Sequence, residues 1–158
     1  YLSKHGCGGL LKELNNSPQI YYITESTYGP NSFDYANRTI SWNPLMGLKT
    51  NEGIYLSPAT LLNHEVDHAL EYNNRPSEYI KNMEPYDEGH PDADYYNAEE
   101  KRVITGMEQT TAKALGEIKS DEVTRIDHFG NHMLMESTTS NRPAEKEQEV
   151  IILSSKKE

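Results

Sequence analysis

A helix with a defined start constrains this chain more than any other feature. Ser57-Pro58 opens it. The hydroxyl can cap the first free N–H groups, and proline at the first helical position gives up an N–H that had no partner anyway. The pattern runs to about Tyr72 and stops at Asn73-Asn74, with Pro76 beyond. Leu61, Leu62, Ala69 and Leu70 give it apolar surface to bury. Among them stands His64-Glu65-Val66-Asp67-His68. Residues four apart lie one turn apart on the same face. Both imidazoles can therefore reach one ion, at about 2.0–2.1 Å for zinc. Glu65 is offset beside them, within reach of a water on that ion. The pattern points to zinc-dependent hydrolysis, in which the ion lowers the water's pKa toward roughly 7 and a carboxylate takes its proton. Two His at this spacing can also be a chance solvated pair, but the capped helix and the apolar residues around the pair weigh against that.

Catalytic zinc takes three protein ligands and keeps a position for water. A second helix, predicted from near Asn97 to Gly116, offers Glu99 and Glu100. Glu100 shares a face with Val103, Ile104, Met107 and Thr111, the largely apolar stripe that faces the core. Glu99 sits beside Arg102 and Gly106, off that stripe. A carboxylate on a buried face needs a partner, and a metal is one. Asn97-x-x-Glu100 also fits a capping box in which Glu100 only closes the helix start. Both readings stand at this point. With Glu100 as ligand, Glu99 is expected outside the ligand set, orienting a His. Arg125 and His128 are candidates to polarise a scissile carbonyl or steady an oxyanion, against the alternative of an ordinary surface ion pair. His5, His90 and His132 read as bystanders, Tyr95 and Tyr96 as packing residues, Trp42 as core, and Asp67 as facing away from the ion.

The remaining segments are short. Residues 9–14 read as a helix with Leu10, Leu11 and Leu14 on one side. Residues 19–24 read as a strand, Gly29-Pro30-Asn31-Ser32 as a turn, and 33–35 with 39–42 as a hairpin across Ala36-Asn37-Arg38. Residues 54–56 form a fourth strand, and 74–96 a long loop. Segment 117–148 is polar and poorly periodic; 149–153 is a last strand and 154–158 a frayed tail. Strands followed by helix, loop and helix predict an α+β fold, with both helices packed on one small antiparallel sheet in a single domain over residues 1–158.

Composition limits the core. Only 35% of the chain is hydrophobic, and the mean hydropathy is -0.82, so a modest core with much loop is expected. Tyr, at 11 residues against Phe 2 and Trp 1, is suited to line a cleft or cover a thin core. Cys7 is the only cysteine, which excludes an internal disulfide. A net charge of -10 disfavours nucleic acid as a partner and favours a basic substrate segment only weakly. No apolar run is long enough to span a membrane, and nothing calls for an obligate oligomer. The chain opens at Tyr1 without a charged-then-apolar leader, so a processed form or a fragment of something larger is expected.

Several blocks recur in a familiar order: Ile40-Ser41-Trp42-Asn43-Pro44; Ser57-Pro58-Ala59; His64-Glu65-Val66-Asp67-His68-Ala69-Leu70; Tyr96-Asn97-Ala98-Glu99-Glu100-Lys101-Arg102-Val103-Ile104 with Gly106 and Glu108; Leu115-Gly116-Glu117; and Arg125-Ile126-Asp127-His128-Phe129-Gly130. Over roughly residues 39–131 this succession resembles the NleD-like effector metallopeptidases, found as bacterial secreted effectors and as toxin domains ending larger polymorphic toxins. Glu99-Glu100-x-Arg102 is also similar to the clostridial neurotoxin light chains, in which the second Glu of such a pair binds zinc. The resemblance implies a zincin-like fold and a gluzincin-type site, with His64, His68 and Glu100 on zinc and Glu65 as base. It implies active-site places for Arg125 and His128, and cleavage of a protein substrate inside a target cell after secretion or translocation. The family often has Gly where this chain has Asp67.

The expected activity is that of a zinc endopeptidase, its substrate laid along strand 39–42 as an added strand. The alternatives are a binding or adhesion module with a structural or absent metal, which would leave Glu65 without a task, and a hydrolase of some other bond.

Overall fold

The computed structural model describes residues 1–27 and 29–145. The expected strand 149–153 and tail 154–158 lie outside the described residues.

Helix α2 (Pro58–Asn74) is the centre of the fold, and every residue at positions 58–71 is buried. The expected cap is present: Ser57 Oγ accepts from Thr60 N at 3.2 Å. Glu117 reinforces it, with Oε2 accepting from Ser57 N and, at 2.8 Å, from Thr60 Oγ1. A helix buried all round is ordinarily apolar all round. This one buries Thr60, Asn63, His64, Glu65, Asp67, His68 and Glu71, so its polar side has to be satisfied from within the protein.

One flank of α2 is apolar. Leu62, Val66, Ala69 and Leu70 pack with Ile40 and with Leu14 of helix α1 (Gly9–Asn15), and Trp42 packs against the cluster as expected of a core residue. Ile40 and Trp42 belong to a three-stranded sheet in the order β1-β3-β2, formed by β1 (Tyr22–Glu25), β2 (Ser32–Asp34) and β3 (Thr39–Trp42). The β2–β3 hairpin is antiparallel, as its turn predicts, but β1 runs parallel to β3. A second, wholly antiparallel sheet has the order β5-β4-β6, with β4 (Met46–Lys49), β5 (Tyr55–Leu56) and β6 (Asn131–Leu134). Its Leu48 and Leu56 meet Leu61 of α2 in a separate cluster with Ala112 and Ile118.

The α+β class is therefore present, but the single antiparallel sheet is replaced by two small sheets, one of them mixed. The reason is range. Strand β4 pairs with β6 through Met46↔Leu134 and Lys49↔Asn131, and each partner taken alone is too short and too polar to show a period of two. A Cβ at Gly47 would run into Met135 and the Leu56 carbonyl, so glycine there lets the strands close.

Three further expectations change. Strand 39–42 is central and paired on both sides, so it is not the edge that could accept a substrate strand; β1 and β2 are the edges instead, and of these β2 lines a cleft beside α2. The 74–96 loop contains helix α3 (Pro76–Asn82), because Pro76 occupies a first helical position and starts a helix rather than only ending one. The second long helix runs from α4 (Ala98–Val103) through a π turn (Ile104–Glu108) into α5 (Gln109–Leu115), capped by Asn97 and ended by Gly116 in the left-handed conformation. No helix among the described residues is long and apolar enough to cross a membrane.

Candidate metal centre

On its polar flank α2 presents the pair of imidazoles. His64 and His68 lie one turn apart with Nε2 atoms 3.1 Å from each other. Helix α4 brings Glu100 against them: Oε2 is 3.4 Å from His64 Nε2, and Oε1 is 3.4 Å from His68 Nε2. Among the described residues this is the group of His and carboxylate donors that could hold one metal ion. Asn97 caps α4 by accepting from Glu100 N at 2.8 Å. The Glu100 carboxylate is turned to the imidazoles instead of closing the capping box.

The outer nitrogens explain why this arrangement is ordered. His64 Nδ1 lies 2.9 Å from Glu108 Oε2, and His68 Nδ1 lies 3.0 Å from Glu99 Oε1. A carboxylate at Nδ1 fixes the proton there. Both Nε2 atoms then face inward as lone pairs, toward each other and toward a carboxylate. Glu100 Oε2 is itself buried with no hydrogen-bond partner among the described residues. With the protons held at Nδ1, three electron-pair donors converge on one point, where a metal ion or a proton would balance them. Tetrahedral zinc with bonds of about 2.0–2.1 Å would place its ligand atoms about 3.3–3.4 Å apart, so the residues present fit such an ion.

A proton competes for the same place. Burial lowers the basicity of both imidazoles. For His64, Glu100 and Glu108 outweigh burial and push the ring up to about 9; for His68, Glu100 and Glu99 push it up to about 10. Glu100 is driven well below the usual carboxylate range, since His68, His128 and His64 overcome the upward push of burial. Glu65, one residue from His64, lines the same cleft. Burial raises its carboxyl, with His64 and His68 pulling the other way.

Behind each supporting carboxylate stands an arginine. Arg125 holds Glu108 through both Nε and Nη2, at 3.0 and 2.5 Å, and Thr124 Oγ1 donates to the same carboxylate at 2.8 Å. Arg102 holds Glu99 in the same two-pronged way, at 3.0 and 2.7 Å, and also donates to Asp67 Oδ2 at 2.8 Å. Asp67 thus faces away from the imidazole pair, as expected, and anchors Arg102. Glu99 occupies the orienting position, but it is not off the buried face: it is wholly buried, more so than Glu100. Both sides of α4 are covered, which a one-stripe helix does not anticipate.

Glu108 stands in one of the recurring blocks, but the sequence gives it no role at the site, where it supports His64. At roughly 100° per residue, Glu100 and Glu108 on a regular helix would stand about 80° apart. The π turn absorbs an extra residue and brings them to nearly the same face. Arg125 and His128 do reach the site. Arg125 spends Nε and Nη2 on Glu108 and donates from Nη1 to the His128 carbonyl at 3.2 Å. His128 Nε2 lies 3.3 Å from Glu100 Oε2. His90 stacks on Tyr86, and His5 lies tilted against Tyr1; neither lines the cleft. His132, expected as a bystander, lines the cleft.

The cleft measures about 390 Å³ and has apolar walls. Phe33 of β2, Leu48 of β4, Tyr79 of α3 and Phe129 supply them. Tyr79 is almost fully buried, edge-on to His68 and Phe33. No family model, curated protein or solved structure matches the chain.

Proposed function

We propose that this chain is a zinc-dependent endopeptidase of the NleD-like effector type, acting on a protein of a target cell. The observation that carries this reading is the convergence of His64 Nε2, His68 Nε2 and Glu100 on one point of a cleft that Glu65 also lines. His64, His68 and Glu100 would hold the ion. Bound there, zinc supplies a water activated near neutral pH and a Lewis acid for the scissile carbonyl. Glu65 takes a proton from the attacking water as its oxygen bonds the carbonyl carbon. The same carboxyl passes that proton to the nitrogen as the C–N bond breaks. His128, half exposed beside Glu100, faces the negative charge that develops on the carbonyl oxygen. Arg125 acts through Glu108 on the orientation of His64. The free edge of β2 beside the cleft offers main-chain partners to an extended substrate.

The test is elemental analysis together with hydrolysis of a degenerate fluorogenic peptide pool. Wild type is expected to carry about one zinc per chain. His64→Ala, His68→Ala and Glu100→Ala lose it, while Glu65→Gln keeps the metal and loses turnover. A wild type that takes no zinc on reconstitution would sink the reading. Zinc retained with no dependence of any activity on Glu65 would favour a binding module with a structural metal.

A further inference from the structure

Tyr96 stands immediately before the cap of α4 in a conformation that side-chain-bearing residues avoid, with φ 74° and ψ −51°. This is close to the rare, strained form of the three-residue turn, and a bulky residue at positive φ is a true outlier. The strain is imposed from both sides. Tyr96 N donates to Ala93 O at 2.9 Å, Tyr86 N donates to Tyr96 O at 2.9 Å, and the next residue is the wholly buried Asn97. Core packing does not account for a large side chain here, since Tyr96 is 54% exposed. Its ring does have one defined partner: it stacks on His128, with centroids 6.0 Å apart and planes 29° apart.

His128 is held from three directions although its ring is open to the cleft. Its N–H donates to Asp94 O at 2.8 Å. Its carbonyl accepts from Arg125. Its ring lies between Tyr96 and Glu100. The segment carrying Asp94 and Tyr96 thus fixes both the backbone and the ring plane of His128. Backbone strain persists where the surroundings over-determine it, and it gathers at functional sites.

We propose that Tyr96 is a positioning residue: its strained backbone presents the ring as a platform that aims His128 Nε2 into the cleft, at the carbonyl oxygen of a bound peptide. This rests on the peptidase reading above and adds to it a residue outside the metal centre. It predicts that stability and turnover respond in opposite senses at one position. Glycine takes positive φ without cost, so Tyr96→Gly relieves the strain and removes the platform.

The experiment compares zinc-loaded wild type, Tyr96→Gly, Tyr96→Phe, His128→Ala and the Tyr96→Gly/His128→Ala double variant. It reads melting temperature, zinc content and hydrolysis of the same peptide pool. It also records the His128 ring signal by NMR on histidine-labelled protein. Tyr96→Gly is expected to keep its zinc and melt about 2–4 °C higher. Its kcat falls about tenfold or more, with KM within about twofold, as for loss of a group that acts in the transition state. Tyr96→Phe, which keeps the ring, restores kcat. In the His128→Ala background the glycine change costs nothing further. The His128 signal, sharp in wild type and Tyr96→Phe, broadens in Tyr96→Gly. Undiminished kcat in Tyr96→Gly overturns the proposal, as does a loss that persists in the absence of His128. If wild type hydrolyses nothing, the peptidase reading falls by itself and the NMR signal decides the positioning: an unchanged His128 ring in Tyr96→Gly overturns it, and a released one supports it.

Discussion

The supports of the two imidazoles are alike in pattern and unlike in setting. On each, a buried carboxylate takes Nδ1 and an arginine grips that carboxylate with two nitrogens. Behind His64 everything is sealed: the Glu108 side chain is 0% exposed and Arg125 6%. Behind His68 the outer member reaches solvent, since the Glu99 side chain is 0% exposed but Arg102 is 31%. Arg102 also has Asp67 as a second anion; Arg125 has the His128 carbonyl. The same chemical device therefore carries different risk on the two sides. A buried charge that loses its partner has nowhere to go, while a half-exposed one turns to water.

The largest effect expected is on the sealed side. Glu108→Gln leaves Arg125 charged and unpaired in the interior, and should destabilise the fold by about 3–5 kcal/mol in chemical denaturation. Glu99→Gln, the matching change at His68, should cost about 1–3 kcal/mol, because Arg102 keeps Asp67 and some water. Equal losses in the two variants would break the comparison and show that solvent access behind the carboxylate is irrelevant. The zinc affinity of the two variants sharpens it: each exchanges the charged acceptor at a histidine Nδ1 for a neutral amide, which holds the tautomer and raises the ring's basicity less, so both should bind zinc about 10–100-fold more weakly, whatever their difference in stability. The smallest effect belongs to Asp67→Asn. It removes one anion from an arginine that retains Glu99, and should change stability by about 1 kcal/mol or less. A larger loss would mean that Asp67, and not water, makes the His68 side tolerant.

The H-E-x-x-H residues were legible as candidates because their spacing is local. His64, Glu65 and His68 lie within one turn and a half of a helix whose start is written in Ser57-Pro58, and helical geometry alone puts the two imidazoles on one face. Glu100 was legible only in part. Its cap-compatible spacing from Asn97 is real, and the Asn97 side chain does accept from Glu100 N. The direction of its carboxylate is a matter of what stands opposite. Glu108 was visible only as part of a recurring block, without a role. Its alignment with Glu100 depends on a π turn at residues 104–108 for which no local propensity gives notice. Arg125 was visible as a candidate, but its attachment to Glu108 was not. Strand β6 escaped notice because Asn131-His132-Met133-Leu134 acquires its meaning from β4, far away along the chain.

By itself the sequence determined helix α1, the capped start of α2 at Ser57, the capped start of α4 at Asn97, the β2–β3 hairpin, the α+β class and the imidazole pair. These follow from steric and hydrogen-bond preferences that act over a few residues, and such preferences are present in the chain before it folds. Only the tertiary structure decided that α2 packs against strands of both sheets and against the other helices, that β3 is internal with β1 and β2 at the edges, and that each imidazole has a carboxylate and an arginine behind it. The cause is the same in each case. A charge or a strand edge is costly to bury alone, so its place depends on a partner that the sequence keeps distant and the packing of α2 brings near.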